Sequence, residues 1–164
     1  MRKIYRFLLK LKYWQYVLLF FTAIMAVNIV LSNLPFVDVS GIYMLFDKMH
    51  VAVVFVVAVV VAPIIETLVF QTLPLKYGYK LLKNKLGFRR CAWPLMIASA
   101  AVFAAQHTYS ASYVMAMIVI GMGFAFAYHV GRKRRQSPTV AVMLIHACMN
   151  LAGIAGYIAE RITG

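Results

Sequence analysis

The sequence has 164 residues, of which 64% are hydrophobic, and it carries 17 Lys and Arg against 4 Asp and Glu. About half of the residues in a soluble domain are apolar, so this composition excludes an ordinary soluble domain and predicts a protein embedded in membrane lipid. The basic residues lie in short clusters between apolar runs, and no nucleic-acid-binding motif accompanies them. We therefore expect no nucleic-acid partner, and a single integral membrane domain over residues 1–164.

Taken in chain order, the apolar runs predict an all-α bundle of about five transmembrane helices with an N-terminal interfacial helix. Residues 1–14 mix basic with aromatic and aliphatic side chains, as amphipathic interfacial helices do. The stretch 93–130 is too long for one span, since about 20 residues suffice, and its polar break at 106–112 divides it in two. The predicted spans are 14–34, 51–75, the two halves of 93–130, and 138–158.

The distribution of basic residues predicts the orientation of these helices. Lys and Arg are concentrated in residues 1–14, 76–90 and 132–135, whereas the loops 35–50 and 106–112 together hold only Lys48. Cytoplasmic loops carry the excess of basic residues, so five alternating spans put the N-terminus in the cytoplasm and the C-terminus on the other side. The predicted location is the plasma or inner membrane, as a multi-pass protein.

One acidic side chain, Glu66, is predicted to lie inside the bilayer. It is about nine residues from the cytoplasmic end of the second span, which at about 1.5 Å per residue places it about 13 Å deep. A carboxylate near the bilayer centre costs at least ~2.5–3.5 kcal/mol on insertion scales, so we expect a functional reason for it. No Lys or Arg lies in the apolar part of a predicted span, which leaves histidines as candidate partners. Pro63 is expected to kink this helix and free backbone carbonyls, although an ordinary membrane-helix kink explains it equally well.

Two histidines and an asparagine are the candidate partners of Glu66. His146 and Asn150 are four residues apart and share one face of the last span, with His146 about 12 Å from the cytoplasmic side. His107 lies about 21 Å into the third span, so it comes level with Glu66 only if that helix tilts or the following turn dips into the protein. Taken singly, each of these three residues has a second interpretation, as a polar contact between helices.

Together these residue types suit hydrolysis of a peptide bond within the membrane. A desolvated glutamate can take a proton from water, and a histidine can share or relay that proton. A second histidine and an amide can donate hydrogen bonds to the oxyanion that forms.

Three short motifs occur in order in separate apolar segments. The first is Glu66-Thr67-Leu68-Val69-Phe70-Gln71, the second runs from Phe103 to His107, and the third runs from His146 to Asn150. They resemble the Glu-Glu-x-x-x-Arg, Phe-x-x-x-His and His-x-x-x-Asn or His-x-x-x-Asp motifs of the CAAX-protease and bacteriocin-processing family, also called CPBP or Abi. That family includes the type II CAAX prenyl endopeptidases. The resemblance covers about residues 50–155.

The resemblance implies a role for each matching residue. The acid and the histidine of the first two motifs would activate water, and the third motif would stabilise the oxyanion. These catalytic candidates are Glu66, His107, His146 and Asn150, and the supporting candidates are Thr67, Phe70, Gln71 and Phe103. Thr67 and Gln71 depart from the family pattern, since they replace its second acid and its arginine. Glu plus two His could also bind zinc, so the sequence leaves the use of a metal open.

The leading hypothesis is an intramembrane endopeptidase that cleaves a peptide or membrane-protein substrate with a water activated by Glu and His. The alternative is a catalytically weak or inactive family member that acts as a bacteriocin-immunity or membrane interaction protein, which Thr67 and Gln71 favour. A proton-coupled carrier that uses Glu66 is a third interpretation, disfavoured because no internal repeat is visible. The sequence is compatible with a homo-oligomer and does not identify the substrate.

Overall fold

The computed structural model describes residues 2–38, 40–86, 88–134 and 136–163, with their side chains except at 2, 83–90 and 163. All of the described elements are helical. In chain order they are α1 (Arg2–Lys10), α2 (Tyr13–Ser32), α3 (Ser40–Asp47), α4 (Val51–Phe55), the π-helical turn π1 (Val56–Val61), α5 (Ala62–Glu66), the π-helical turn π2 (Thr67–Thr72), α6 (Leu73–Leu86), α7 (Phe88–Ala105), α8 (Ala111–Gly131) and α9 (Pro138–Thr163). The basic side chains at 2, 83, 85, 89, 90 and 135, which belong to the predicted cytoplasmic clusters, lie outside the described part.

The predicted all-α membrane bundle is confirmed, with one difference in the length of its spans. Four described helices are long and apolar enough to cross a membrane: Tyr13–Ser32, Val51–Leu82, Ala111–Gly131 and Pro138–Ile162. The third predicted span corresponds to a shorter apolar helix, Cys91–Ala105. The break predicted at 106–112 is confirmed, because α7 ends at Ala105 and α8 begins at Ala111.

Two segments predicted as loops contain helix instead. Residues Ser40–Asp47 of the first loop form α3, and the helix of the second span continues through the basic segment to Leu86. The second extension has a physical reason, since Leu75 and Tyr79 are four residues apart and both are fully buried. This apolar stripe keeps the helix packed on the protein after its other faces have become basic.

The helix that carries Glu66 changes its hydrogen-bonding register twice. The five residues of α5 lie between π1 and π2, where the backbone N–H groups of Ala62 and Leu73 donate to carbonyls five residues earlier. Pro63 has no N–H and its ring crowds the preceding turn, which the wider π-helical turn accommodates. The irregularity predicted at Pro63 is therefore present as a local change of register.

Helix α8 is the centre of the bundle. Within its most apolar stretch 56% of α8 is buried, whereas the corresponding share in the other three candidate spans is 33% or less. Helix α8 packs against α1, α2, α6, α7, π2 and α9. Two glycines allow close approach on different sides. A Cβ atom at Gly121 would lie 3.1 Å from the Cα of Ala100 on α7, and one at Gly123 would lie 2.9 Å from Ile24 on α2.

The basic run after α8 holds the N-terminal helix in place. The Arg134 guanidinium donates hydrogen bonds to the carbonyls of Leu8 (2.7 Å) and Leu11 (2.5 Å), which lie in and just after the last turn of α1. Its Cζ atom also lies 4.6 Å from the centre of the Tyr16 ring. The last carbonyls of a helix have no partners within the helix, so a cation with several donors stabilises that end. Arg134 thus has a packing role in addition to the topological role predicted for its cluster.

The close packing of α7 on α8 predicts a specific sensitivity at Gly121. We expect Gly121→Ala to lower the free energy of unfolding by about 1–3 kcal/mol, because the added methyl group meets the backbone of Ala100. Thermal unfolding in detergent micelles measures this. Gly153→Ala is the matched control, since a Cβ there meets nothing within 4 Å and alanine favours the helix. Equal melting temperatures for the two variants would contradict the packing described for α8.

Candidate active site

Glu66 occupies the last position of α5, on a helix that has one face buried in the protein, with Pro63 and Thr67, and one exposed apolar face. Its neighbours Ile64, Ile65 and Leu68 are exposed apolar side chains, as expected for a surface in contact with lipid. The Glu66 side chain is one-fifth exposed, but its Oε2 atom is buried and has no hydrogen-bond partner among the described atoms. A buried carboxylate oxygen without a partner is costly, and such groups occur where function requires them.

The structure brings His107 and His146 to this carboxylate. His146 lies on α9, and His107 lies in the turn that follows α7. The backbone N–H of His107 donates a hydrogen bond to the carbonyl of Ala104, near the end of α7. The Nε2 atom of His146 is 3.7 Å from Glu66 Oε2, and the Nε2 atom of His107 is 3.9 Å from the same oxygen. Three elements that are distant in the sequence therefore converge on one oxygen atom.

The two histidines present opposite hydrogen-bonding character to Glu66. His107 Nδ1 is 2.9 Å from the Phe103 carbonyl, which can only accept, so Nδ1 carries the proton and Nε2 offers a lone pair. His146 Nδ1 is buried without a partner. An unpaired buried acceptor is tolerated better than an unpaired buried N–H, so the proton of neutral His146 belongs on Nε2. One acceptor and one donor thus face the carboxylate.

Aromatic rings hold both histidines. The Phe103 ring, which is buried, lies 4.7 Å from the His107 ring and 5.8 Å from the His146 ring, measured between centroids. The Phe124 ring of α8 lies 4.9 Å from the His146 ring and packs edge-on against Phe103 at 5.6 Å, so the three rings form one cluster. Phe103 was identifiable from its motif, whereas Phe124 has the same sequence context as the packing residues around it. The two phenylalanine rings restrict the rotation of His146.

The two departures from the family motif, Thr67 and Gln71, are both fully buried. Gln71 Oε1 accepts a hydrogen bond of 2.8 Å from Ser99 Oγ on α7, and Gln71 Nε2 lies 3.5 Å from the Gly121 carbonyl. Ser99 Oγ also lies 2.6 Å from the carbonyl of Phe70, where it can donate instead. A neutral hydrogen-bond network thus surrounds the position where the family motif has an arginine, and Thr67 Oγ1 has no hydrogen-bond partner in the described structure. Ser99 was missed by sequence reasoning, since no pattern distinguishes it.

Asn150, the fourth catalytic candidate, makes a different contact. Its Nδ2 atom donates a hydrogen bond of 2.7 Å to the carbonyl of Ala58 in π1. Ala58 precedes Glu66 by eight residues, which corresponds to about 12 Å along the helix. Among the described contacts, Asn150 has none with Glu66, His107 or His146, so its predicted role at the oxyanion stays a prediction.

The residues at this site do not form a recognisable metal centre. Among the described residues there is no group of three or more His, Cys, Asp or Glu side chains that could hold a metal ion. A histidine that binds zinc usually donates its other N–H to an acceptor, whereas His146 Nδ1 has no partner in the described structure. We derive no step through a metal.

Comparison with known protein families matches residues 48–152, well over half of the chain, to the family described as Type II CAAX prenyl endopeptidase Rce1-like. The chain belongs to this family. The resemblance inferred from the three motifs is therefore confirmed, and the match spans all of them. Comparisons with curated proteins and with solved structures gave no match. The protein is thus a membrane protein of the CAAX-protease-like family, whose description names an endopeptidase, an enzyme that hydrolyses peptide bonds.

The neutral network around Gln71 predicts how the stability of the protein changes when the family's arginine and second acid are introduced at positions 71 and 67. Gln71→Arg places a guanidinium in a buried site without a carboxylate partner, and we expect a loss of about 3–5 kcal/mol in unfolding free energy, as for an unpaired buried charge. The double variant Thr67→Glu/Gln71→Arg supplies the acid four residues away and should recover much of this loss. Thermal unfolding of the wild-type protein, the two single variants and the double variant gives a double-mutant cycle for positions 67 and 71. Additive losses would show that the two positions do not interact.

Proposed function

We propose that the protein is an intramembrane endopeptidase that hydrolyses a peptide bond with a water molecule bound by Glu66, His107 and His146. The observation that carries the proposal is the pair of histidine Nε2 atoms, one acceptor and one donor, at 3.9 and 3.7 Å from a single buried carboxylate oxygen. A packing role for three polar side chains does not explain why the carboxylate oxygen at their meeting point has no hydrogen-bond partner in the described structure.

The distances suit a bridging water better than direct hydrogen bonds. Both exceed the usual 2.7–3.2 Å for an N–H···O hydrogen bond, and each is short enough for a water bound to Glu66 Oε2 to reach the histidine as well. Such a water donates one hydrogen to Glu66 Oε2 and the other to His107 Nε2, and it accepts from His146 Nε2–H. Its oxygen is then held with a fixed orientation beside a base.

The proposed reaction needs only these groups. Glu66 takes a proton from the water as the water oxygen attacks the peptide carbonyl carbon. The carbonyl oxygen becomes an oxyanion and accepts a hydrogen bond from His146 Nε2–H. When the carbon–nitrogen bond breaks, the proton held by Glu66 passes to the departing amine. The products are a carboxylic acid and an amine, and Glu66 returns to its carboxylate form.

The position of Glu66 supports a substrate that arrives through the membrane. The helix that carries it exposes apolar side chains on both sides of the acid, so a peptide tail tethered to the bilayer can approach from lipid. The family description adds prenylated tails as a candidate class. We place this site near the cytoplasmic leaflet of the plasma or inner membrane, with the N-terminus in the cytoplasm, on the strength of the basic clusters.

The test is cleavage by the purified protein in liposomes. We expect Glu66→Gln, His107→Ala and His146→Ala each to lower the cleavage rate at least ~100-fold, because each removes a group that binds or activates the water. The substrates are C-terminal tail peptides with and without a prenyl chain, and mass spectrometry detects the new peptide ends. Undiminished cleavage by the Glu66 and His146 variants would refute the assignment.

A histidine outside the site provides the matched control. His50 lies at the start of α4, where its Nδ1 atom accepts a hydrogen bond of 3.3 Å from the N–H of Ala52. His50→Asn keeps an acceptor at the helix N-terminus and removes the imidazole. We expect cleavage at the wild-type rate.

A second function, that of a non-catalytic membrane interaction or immunity protein, is favoured by the loss of the motif's second acid and arginine at Thr67 and Gln71. In that case no tail peptide is cleaved, and folded Glu66→Gln and His146→Ala variants keep the protective phenotype. Loss of protection in these variants would count against it.

A further inference from the structure

One backbone carbonyl near the site has lost both of its usual donors. In an α-helix the Ala58 carbonyl would accept from the N–H of residue 62, and in a π-helix from that of residue 63. The N–H of Ala62 donates to Val57 instead. Residue 63 is a proline and has no N–H. An unpaired carbonyl in apolar surroundings is unfavourable, so a partner from outside the helix is required.

The Asn150 side chain supplies that partner from α9. Its Nδ2 atom donates to the Ala58 carbonyl at 2.7 Å, within the normal range of a hydrogen bond. A backbone acceptor and a side chain on another span are thereby joined at a defined position. Side chains that bond to carbonyls freed by a proline are one way in which membrane helices tolerate it.

Among the described residues, this bond is one of two side-chain hydrogen bonds that join α9 to the helix of Glu66. At the other end, the hydroxyls of Thr139 and Thr72 are 3.0 Å apart. The two segments run in opposite directions, so the pair of His146 and Glu66 lies between the two hydrogen bonds along both chains. With one hydrogen bond on each side of the His146–Glu66 pair, the two helices cannot slide past each other. The distance between His146 and Glu66 is thereby fixed.

We propose that Asn150 is a positioning residue, which pairs with the carbonyl that Pro63 leaves free and so sets the register of α9 against the helix of Glu66. Its effect on cleavage rests on the proposed function, whereas its effect on stability does not. This role differs from a direct hydrogen bond to the oxyanion, because the amide nitrogen donates to a carbonyl that lies about two turns of helix away from Glu66.

The proposal makes a prediction that an oxyanion donor does not make. Pro63→Ala restores a backbone N–H and removes the ring that crowds the preceding turn. The Ala58 carbonyl then regains a donor from its own helix, from residue 63 where the π-helical register of π1 continues or from residue 62 where the helix becomes α throughout. We expect Asn150→Ala to lower the melting temperature in detergent by about 2–4 °C. We expect the cleavage rate to fall about 100-fold, as for a small misplacement of reacting groups. In the Pro63→Ala background both losses should be at least halved.

A matched control shows whether the recovery is specific. Thr139→Val removes the other hydrogen bond while keeping the shape of the side chain, and Pro63→Ala offers nothing to replace it. Its losses should be the same in both backgrounds. The measurements therefore compare Asn150→Ala and Thr139→Val, each with Pro63 or with Pro63→Ala, by thermal unfolding and by cleavage in liposomes.

The outcomes separate this proposal from the proposed function. Equal stability losses for Asn150→Ala in both backgrounds would overturn the Asn150 proposal. Recovery of stability without recovery of cleavage would assign Asn150 a direct chemical role and would also overturn it. If the wild-type protein cleaves no peptide, the proposed function fails. The unfolding measurements still show whether the hydrogen bond from Asn150 to the Ala58 carbonyl stabilises the protein. If Asn150→Ala cannot be purified, the Pro63→Ala/Asn150→Ala protein must be recoverable, and failure to recover both contradicts the proposal.

Discussion

Polar groups within this bundle have to find their partners inside the protein, since lipid offers none. Pro63 interrupts the backbone hydrogen bonding of the helix that carries Glu66. Two π-helical turns absorb the change of register, and Asn150 bonds to the carbonyl that remains. In the described structure, the exceptions to this rule include Glu66 Oε2 and His146 Nδ1 at the candidate active site, Thr67 Oγ1 beside it, and Arg134 Nε near α1. Glu66 is the acidic group among them, and its unpaired oxygen is the one that faces two histidines.

The same constraint explains how a family motif can change without loss of the fold. An ion pair buried in lipid requires both members, because either charge alone is strongly unfavourable. Replacing the acid and the arginine together removes both charges, and the amide of Gln71 then needs only a neutral partner. Ser99 provides one from α7.

Much of this architecture could be predicted from the sequence, and the failures have physical causes. Long apolar runs and their polar interruptions predicted the bundle and the break after α7, because lipid imposes length and composition on a span. The helix through the basic segment to Leu86 was missed, since its apolar stripe is narrow. The depth of His107 could not be assigned by counting residues, because it depends on how the turn after α7 packs. Contacts such as those of Ser99 and Asn150 depend on which helices are neighbours, which one sequence does not show.

The anchoring of α1 has a consequence for biosynthesis. Helix α1 is made before the spans, yet the guanidinium that holds its last carbonyls belongs to Arg134, more than 120 residues later. While the intervening spans are still being synthesised, α1 lacks the cation that bonds to its last carbonyls. Its docking onto the bundle follows the insertion of α8, so a docked α1 records that the central helix is already in place.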